Sequence, residues 1–227
     1  LPLTFKLKAM RNKKFLFGAL ALIGLTALSF KTFLPEEEAY PTLSIGTAAP
    51  KADVKMKEVN GNEYSLNDLK KENGLLVIFS CNTCPFVVGN GEDSEGWEGR
   101  YNHLQDLATR AKVGMVLVNS NEAKREGDDS FDKMKEHATE KGLQSFYVMD
   151  KDSELANAFG AKTTPHVFLF DKDMKLIYKG AIDDNVKNSK EVKDDYLKAA
   201  LRQINAQTEI TTKETKASGC SIKRVSK

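Results

Sequence analysis

Cysteine, histidine and tryptophan are scarce in this chain, with three, three and one among 227 residues. That scarcity narrows the chemistry. No second C-x-x-C and no closely spaced histidine pair accompany Cys81-x-x-Cys84, and His103, His137 and His166 are scattered, so a closed tetrahedral zinc site lacks ligands. An excess of one charge is also missing. The formal net charge is +2, and Lys6, Lys8, Arg11, Lys13 and Lys14 stand near the N-terminus without an acid among them. The remainder is slightly acidic and gives nucleic-acid binding no electrostatic support. There is no internal repeat. With 41% hydrophobic and 29% charged residues, the balance is that of a globular protein with one main domain.

The basic N-terminal cluster runs into an uncharged apolar stretch, Phe15 to Phe30, that ends on the small-residue pattern Ala27-Leu28-Ser29. This is the pattern of an export segment, with Met10 as the expected start. Residues 1–33 then read either as a cleaved signal peptide or as a retained anchor over residues 15–34. The anchor reading holds because only Lys31 interrupts the apolar run before Phe33 and Leu34, and roughly 20 residues span a bilayer. Both readings place the rest of the chain in the periplasm or another extracytoplasmic space. In an oxidising compartment two cysteines can pair, and Cys220 is the odd one.

Residues 34–52, Pro- and Thr-rich with the acidic cluster Glu36 to Glu38, read as a linker. Val54 to Val59 alternates and Asn60-Gly61-Asn62 turns it back, a hairpin signal followed by a short helix capped at Ser65 or Asn67. Leu75 to Phe79 is a continuous apolar run and predicts a central strand buried on both faces. Pro85 suits the first turn of a helix. Helices are predicted at about 97–111, 130–141 and 190–206, with a short one opening at Ser153. Strands are predicted at 113–118 and 146–149, and a hairpin pairs 167–170 with 176–179. Strands interleaved with helices make a three-layer α/β domain over residues 53–206, and the closing hairpin makes its central sheet mixed. The polar segment 207–227 reads as a mobile tail.

The two thiols at the strand-to-helix turn admit three readings. As a structural staple the pair is weak, because closing so short a loop removes little unfolded-chain entropy. As half of a metal site it lacks further ligands. As a redox pair it gains from the helix start, where unpaired N–H groups and the dipole favour a thiolate. On that basis Cys81 is expected to attack and Cys84 to resolve the mixed disulfide. Thr163-Thr164-Pro165-His166 is a second signal, since a proline just before a strand cannot donate to the ladder.

With Ala49-Pro50 ahead of the first strand, "CNTCPF", "LANAFGAKTTPHVFLFD", "YKGAIDD" and the late "GCSIK", the chain resembles the thioredoxin-like superfamily. Within it, the match is to the redoxin branch that also contains alkyl hydroperoxide reductase and thiol-specific antioxidant proteins. The likeness spans roughly residues 46–206. It implies a thioredoxin-like sandwich in which Pro165 is a cis-proline packed against the C-x-x-C. The backbone at Thr164 would then pair with a bound polypeptide as an added strand. Two departures stand out. Thioredoxin has Trp before the first cysteine and Gly-Pro between the two, where this chain has Ser80 and Asn82-Thr83, so reductant and oxidant both stay open. Peroxiredoxins carry Thr or Ser three residues before the peroxidatic cysteine, where Ile78 precedes Cys81 and Cys81 precedes Cys84.

The expected activity is that of an exported thiol–disulfide oxidoreductase. Its partners would be protein or small-molecule disulfides and thiols and an upstream thiol reductant or oxidant, with no metal and no organic cofactor. The alternatives are a thiol-dependent peroxidase and a non-enzymatic copper-binding assembly factor using Cys81, Cys84 and His166. His166 is otherwise a half-exposed strand residue. Cys220 is an auxiliary resolving thiol, an intermolecular partner or idle.

Overall fold

The computed structural model describes residues 40–91 and 93–225. The expected signal or anchor of residues 1–33 and the cluster Glu36 to Glu38 lie outside the described residues. The N-terminal hairpin forms as its alternation and turn predict, with β1 (Met56–Glu58) antiparallel to β2 (Glu63–Tyr64). Ser65 then caps α1 (Leu66–Leu69): its hydroxyl accepts from the Asp68 N–H, and the Asp68 carboxylate accepts from the Ser65 N–H.

β3 (Leu75–Ser80) is buried at every position. The chain continues through α2 (Pro85–Val88), α3 (Tyr101–Arg110), β4 (Gly114–Asn119), α4 (Phe131–Glu140), β5 (Phe146–Met149) and α5 (Glu154–Phe159). Then come β6 (Thr163–Thr164), β7 (His166–Phe170), β8 (Leu176–Gly180), α6 (Tyr196–Asn205) and β9 (Cys220–Ser221). Among the described residues the main sheet has seven strands in the order β2-β1-β5-β4-β3-β7-β8, and β6 and β9 form a separate ladder. β3, β4 and β5 run parallel, whereas β1 and β7 are antiparallel to their neighbours, so the sheet is mixed.

Strand alternation sends side chains into two apolar layers. Leu76, Ile78, Leu117, Val167 and Leu169 face α3, α4 and α6 through Leu104, Met134, Leu197 and Leu201. Val77, Phe79, Val116, Phe168 and Phe170 face α1 and α5 through Leu66, Leu69, Leu155 and Phe159. The second layer is built around Phe159, which meets Phe79, Phe168 and Phe170 edge-on at centroid separations of 5.5, 5.2 and 5.5 Å. On the first side, the buried Asp183 carboxylate accepts from the Trp97 indole N–H at 2.8 Å and pairs with Arg100, which ties the start of α3 to the loop after β8. Trp97 and Tyr101 are core residues.

Three expectations are corrected. The last helix begins at Tyr196, because Asp184 receives the Lys193 N–H on its carboxylate and donates its own N–H to the Asp194 carbonyl, closing the preceding residues into a loop. The described part of the linker is not free of the domain: Gly46 donates to Leu176, Leu176 to Thr47 and Ala49 to Met174, so it runs beside β8. The segment after Gln207, read as mobile from its polarity, folds back onto the domain and buries Ile210 and Ile222.

Removing the ring at the centre of the second layer leaves a cavity between two sheet strands and a helix. Phe159→Ala is expected to cost about 3–5 kcal/mol, checked by denaturant unfolding. A loss below about 1 kcal/mol would show that the layer collapses to refill the space.

Candidate active site

The parallel register of β3 and β4 places Ser80 beside Asn119 at the carboxyl ends of the strands, the side of an α/β sheet where ligands bind. β3 leaves the sheet there into Cys81-Asn82-Thr83-Cys84. Pro85 takes the first helical position as expected, which makes Cys84 the N-cap of α2, with its carbonyl accepting from Val87 and Val88. The helix is a single turn and ends at Gly89, with φ of 80°. A Cβ at Gly89 would lie 2.6 Å from the Ser94 carbonyl oxygen, so the returning loop demands glycine.

The antiparallel pairing of Phe79 with His166 brings Thr164 alongside this turn. The Thr164–Pro165 peptide is cis. Thr164 meets both sulfurs: its hydroxyl lies 3.2 Å from Cys81 Sγ, and its carbonyl accepts from the Cys84 thiol at 3.2 Å. A third cysteine is also present. β9 pairs antiparallel with β6, Thr164 opposite Cys220, and the Cys220 N–H donates to Cys84 Sγ at 3.4 Å. The edge of Thr164 expected to receive a bound polypeptide is therefore taken by the chain's own C-terminal segment.

All three cysteines are free thiols. Cys84 carries the charge more readily, with its pKa brought down to about 5 by the hydrogen bond from the Cys81 thiol and by the Cys220 thiol and N–H. Cys81 is pushed far up by that same sharing with Cys84 and by burial, with a further contribution from the Asp129 charge. Burial and Cys84 push Cys220 up to about 11. Cys81, expected as the ionised thiol at the helix mouth, does not stand at the cap of α2. Cys81 precedes the cap by three residues and sits deeper, under Thr164, whereas the sulfur at the cap belongs to Cys84.

His166 does not join them. Its ring packs on Phe168 at 4.5 Å in the second apolar layer, and its Nδ1 accepts from the Lys162 N–H, whereas Cys81 and Cys84 belong to the first layer. It is buried, not half-exposed, and burial together with Lys179 and Lys162 lowers its pKa to about 3. The copper reading thus loses its third ligand and the proton-shuttle reading its geometry. Among the described residues no group of three His, Cys, Asp or Glu has metal-holding geometry.

Several site residues carry no signal at the C-x-x-C itself. The fully buried Asp129 carboxylate accepts from the Asn82 N–H at 3.0 Å, Asn119 Nδ2 at 2.7 Å and Asn121 Nδ2 at 3.0 Å. Tyr147 donates its hydroxyl to Asn82 Oδ1 at 2.8 Å and receives Asn119 Nδ2 at 3.0 Å. This network clamps the backbone between the two cysteines. The polar run Asn119-Ser120-Asn121, directly after a buried strand, is the one hint of it in the sequence. A pocket of about 130 Å³ opens on the sulfurs, with Lys124 and Lys223 in its wall. What the arrangement can do is hold one thiolate, with two further thiols beside it.

A family model described as Redoxin matches residues 44–196. No curated protein matches the chain significantly. Among solved structures, an uncharacterized conserved protein from Geobacillus kaustophilus superposes with a TM-score of 0.73 at 30% identity, over 83% of this chain and 96% of that one. A hypothetical protein from Sinorhizobium meliloti does so with 0.71 at 28%, over 83% and 98%. The bacterioferritin comigratory protein of Xanthomonas campestris shares the fold, with a TM-score of 0.50 at 15% identity over 73% and 97%.

The division of charge is measurable. Thiolate absorbance of the reduced protein is expected to show one thiol ionising with a midpoint near about 5, so that the signal falls as pH drops through that value. The step disappears in Cys84→Ser, and in Cys81→Ala it moves up toward the ordinary thiol range. An acidic step that survives in Cys84→Ser would assign the charge to the wrong sulfur.

Proposed function

The chain belongs to the redoxin family of thioredoxin-like proteins, and from that premise we propose that it is an exported thiol–disulfide oxidoreductase working through Cys81 and Cys84. The observation that carries the reading is the Cys84 sulfur, which is hydrogen-bonded by a neighbouring thiol and a backbone N–H and opens on a pocket at the strand ends. Family membership supports oxidoreductase chemistry in general, and this sulfur supports its direction of attack.

The Cys84 thiolate attacks one sulfur of a client disulfide, forms a mixed disulfide and releases the other client thiolate. Sharing with Cys84 is the foremost of the effects that hold the proton on Cys81, ahead of burial and the Asp129 charge. Once Cys84 is bonded to the client its own charge is gone, and the thiol behind it becomes easier to ionise. Cys81 then attacks Cys84 Sγ, the Cys81–Cys84 disulfide closes, and the second client thiolate leaves with the Cys81 proton. An upstream thiol reductant restores the pair. An oxidant upstream drives the same steps backward, so the compartment's redox poise sets the direction.

Export rests on the basic cluster and apolar run of residues 10–30, and the same run supports a membrane tether if it is retained. Clients are protein or small-molecule disulfides and thiols. A peroxidase reading rests on the same thiolate: a peroxide oxygen transferred to Cys84 would give a sulfenic acid that a neighbouring thiol condenses with. Trapping that sulfenic acid on Cys84 with a dimedone-type probe after a peroxide pulse, at a rate above that of disulfide reduction, would favour it.

Cys84→Ser is expected to lower the reduction of a disulfide-bonded protein by about a hundredfold or more, while Cys81→Ser keeps the first step and forms a mixed disulfide at Cys84. Wild-type turnover in Cys84→Ser would remove the reading.

A further inference from the structure

The C-terminal segment is fastened on both sides of Cys220. Upstream, Thr215 Oγ1 accepts from the Ala181 N–H at 2.9 Å and lies 2.9 Å from the Tyr178 hydroxyl. Downstream, Ile222 donates to the Lys162 carbonyl, Lys223 donates to Asn121 Oδ1 at 2.9 Å, and the Ala123 N–H donates to the Lys223 carbonyl. Arg224 reaches Asn157 Oδ1 at 2.7 Å and lies over the Tyr40 ring. Between these anchors Gly219 passes so close to β6 that a Cβ would lie 2.2 Å from the Thr164 carbonyl oxygen. The cysteine that follows is set against the sulfur of Cys84, on the edge where a client strand would lie.

We propose that Cys220 is a third redox-active cysteine, presented by β9 as an in-chain strand on the Thr163–Thr164 edge, and that it exchanges with Cys84 to form a Cys84–Cys220 disulfide. This rests on the reading of Cys84 as the attacking thiol and extends it. The balance is simple. Cys84 attacks a client disulfide and releases one client thiolate. Cys220 then attacks Cys84 Sγ, the Cys84–Cys220 bond forms, and the second client thiolate leaves, taking up the Cys220 proton. The client disulfide gains two electrons, and the Cys84 and Cys220 thiols lose them. Both Cys81 and Cys220 line the pocket, but Cys81 is buried beneath Thr164 whereas Cys220 is only partly buried, so Cys220 is a second resolving thiol, the more exposed of the two. Holding it in place by strand pairing replaces an encounter between separate molecules, which multiplies the rate of exchange.

The test uses the full reduced chain, a brief exposure to stoichiometric oxidised glutathione, an acid quench with alkylation, and mass-spectrometric mapping of disulfide-linked peptides. Cys81→Ser is expected to yield the Cys84–Cys220 link and to release both glutathione thiols, whereas Cys81→Ser with Cys220→Ser stops at glutathione bound to Cys84. If Cys81→Ser also stops there, with Cys220 open to alkylation, the proposal is overturned and the attack by Cys84 stands. If Cys84 stays unmodified in both while the wild type consumes the disulfide, the underlying reading falls as well. A second variant leaves every sulfur in place. Adding Gly219→Ala to Cys81→Ser is expected to slow closure of the Cys84–Cys220 bond by about tenfold or more without slowing glutathionylation of Cys84. Unchanged closure would show that the docked strand does not position the thiol.

Discussion

Thr164 touches both sulfurs of the dithiol, and the arrangement around them depends on its place. Its hydroxyl lies beside Cys81, and its carbonyl accepts from Cys84 while that sulfur is protonated. That place is an outcome of register: β3 and β7 pair antiparallel with Phe79 opposite His166, so the chain leaving β3 at Ser80 passes the chain entering β7 at Thr164. A slip of one residue would exchange the two apolar layers, sending Phe168 toward α3 and Val167 toward the aromatic cluster of Phe159. The core therefore does more than hold the fold together. By forbidding the slip it sets the spacing of the sulfurs.

Around that point the groups are arranged so that the two sulfurs of the dithiol do not share a second negative charge. Burial pushes Tyr101 and Tyr147 well up, and His166 on the other face is held neutral. Asp129 sits beside Cys81 and makes a second negative charge there unfavourable. Its own carboxylate is answered by three N–H donors from Asn82, Asn119 and Asn121, so its burial is compensated by hydrogen bonds. Cys84 has the Cys81 thiol and the Cys220 thiol and N–H as donors close to it, and Lys124 and Lys223 line the same pocket. The same carboxylate that restrains Cys81 also grips the Asn82 backbone, which couples the charge of the turn to its shape.

Much of this was legible in the chain. The strands of the sheet centre are continuous apolar runs, and β3 and β4 fall within a residue or two of their expected bounds. Pro85 marked the helix start correctly. Its corollary, that a proline at the first helical position makes the preceding cysteine the cap, was also in the sequence, yet the N–H groups and dipole of the helix start were credited to the first thiol, Cys81. Asp129 was not legible, because it reaches the dithiol from the loop ahead of α4 and only the fold brings the two together. The start of α6 was misjudged for a related reason. Val192 continues the apolar stripe, but the Asp184 carboxylate captures the backbone of that segment before a helix can form. Polarity described the surface of the C-terminal segment and missed its two apolar anchors, Ile210 and Ile222, which are too far apart to make a period.

That segment also bears on what can reach the sulfurs. With β9 in place the pocket holds about 130 Å³, below the range of about 300–1,000 Å³ of ordinary ligand sites. A small thiol or disulfide can present one sulfur atom there without disturbing the fold. The backbone edge of Thr163 and Thr164, where the resemblance puts a polypeptide, is paired with Ser221 and Cys220. Because the competing strand is covalently part of the chain and anchored on both sides, its effective concentration at the edge is high and does not fall on dilution. A polypeptide adding to that edge would have to displace it. Once displaced, β9 withdraws both the N–H that stabilises the Cys84 thiolate and the thiol beside it. The one strand thus both covers the edge beside Cys84 and supplies a donor to its sulfur.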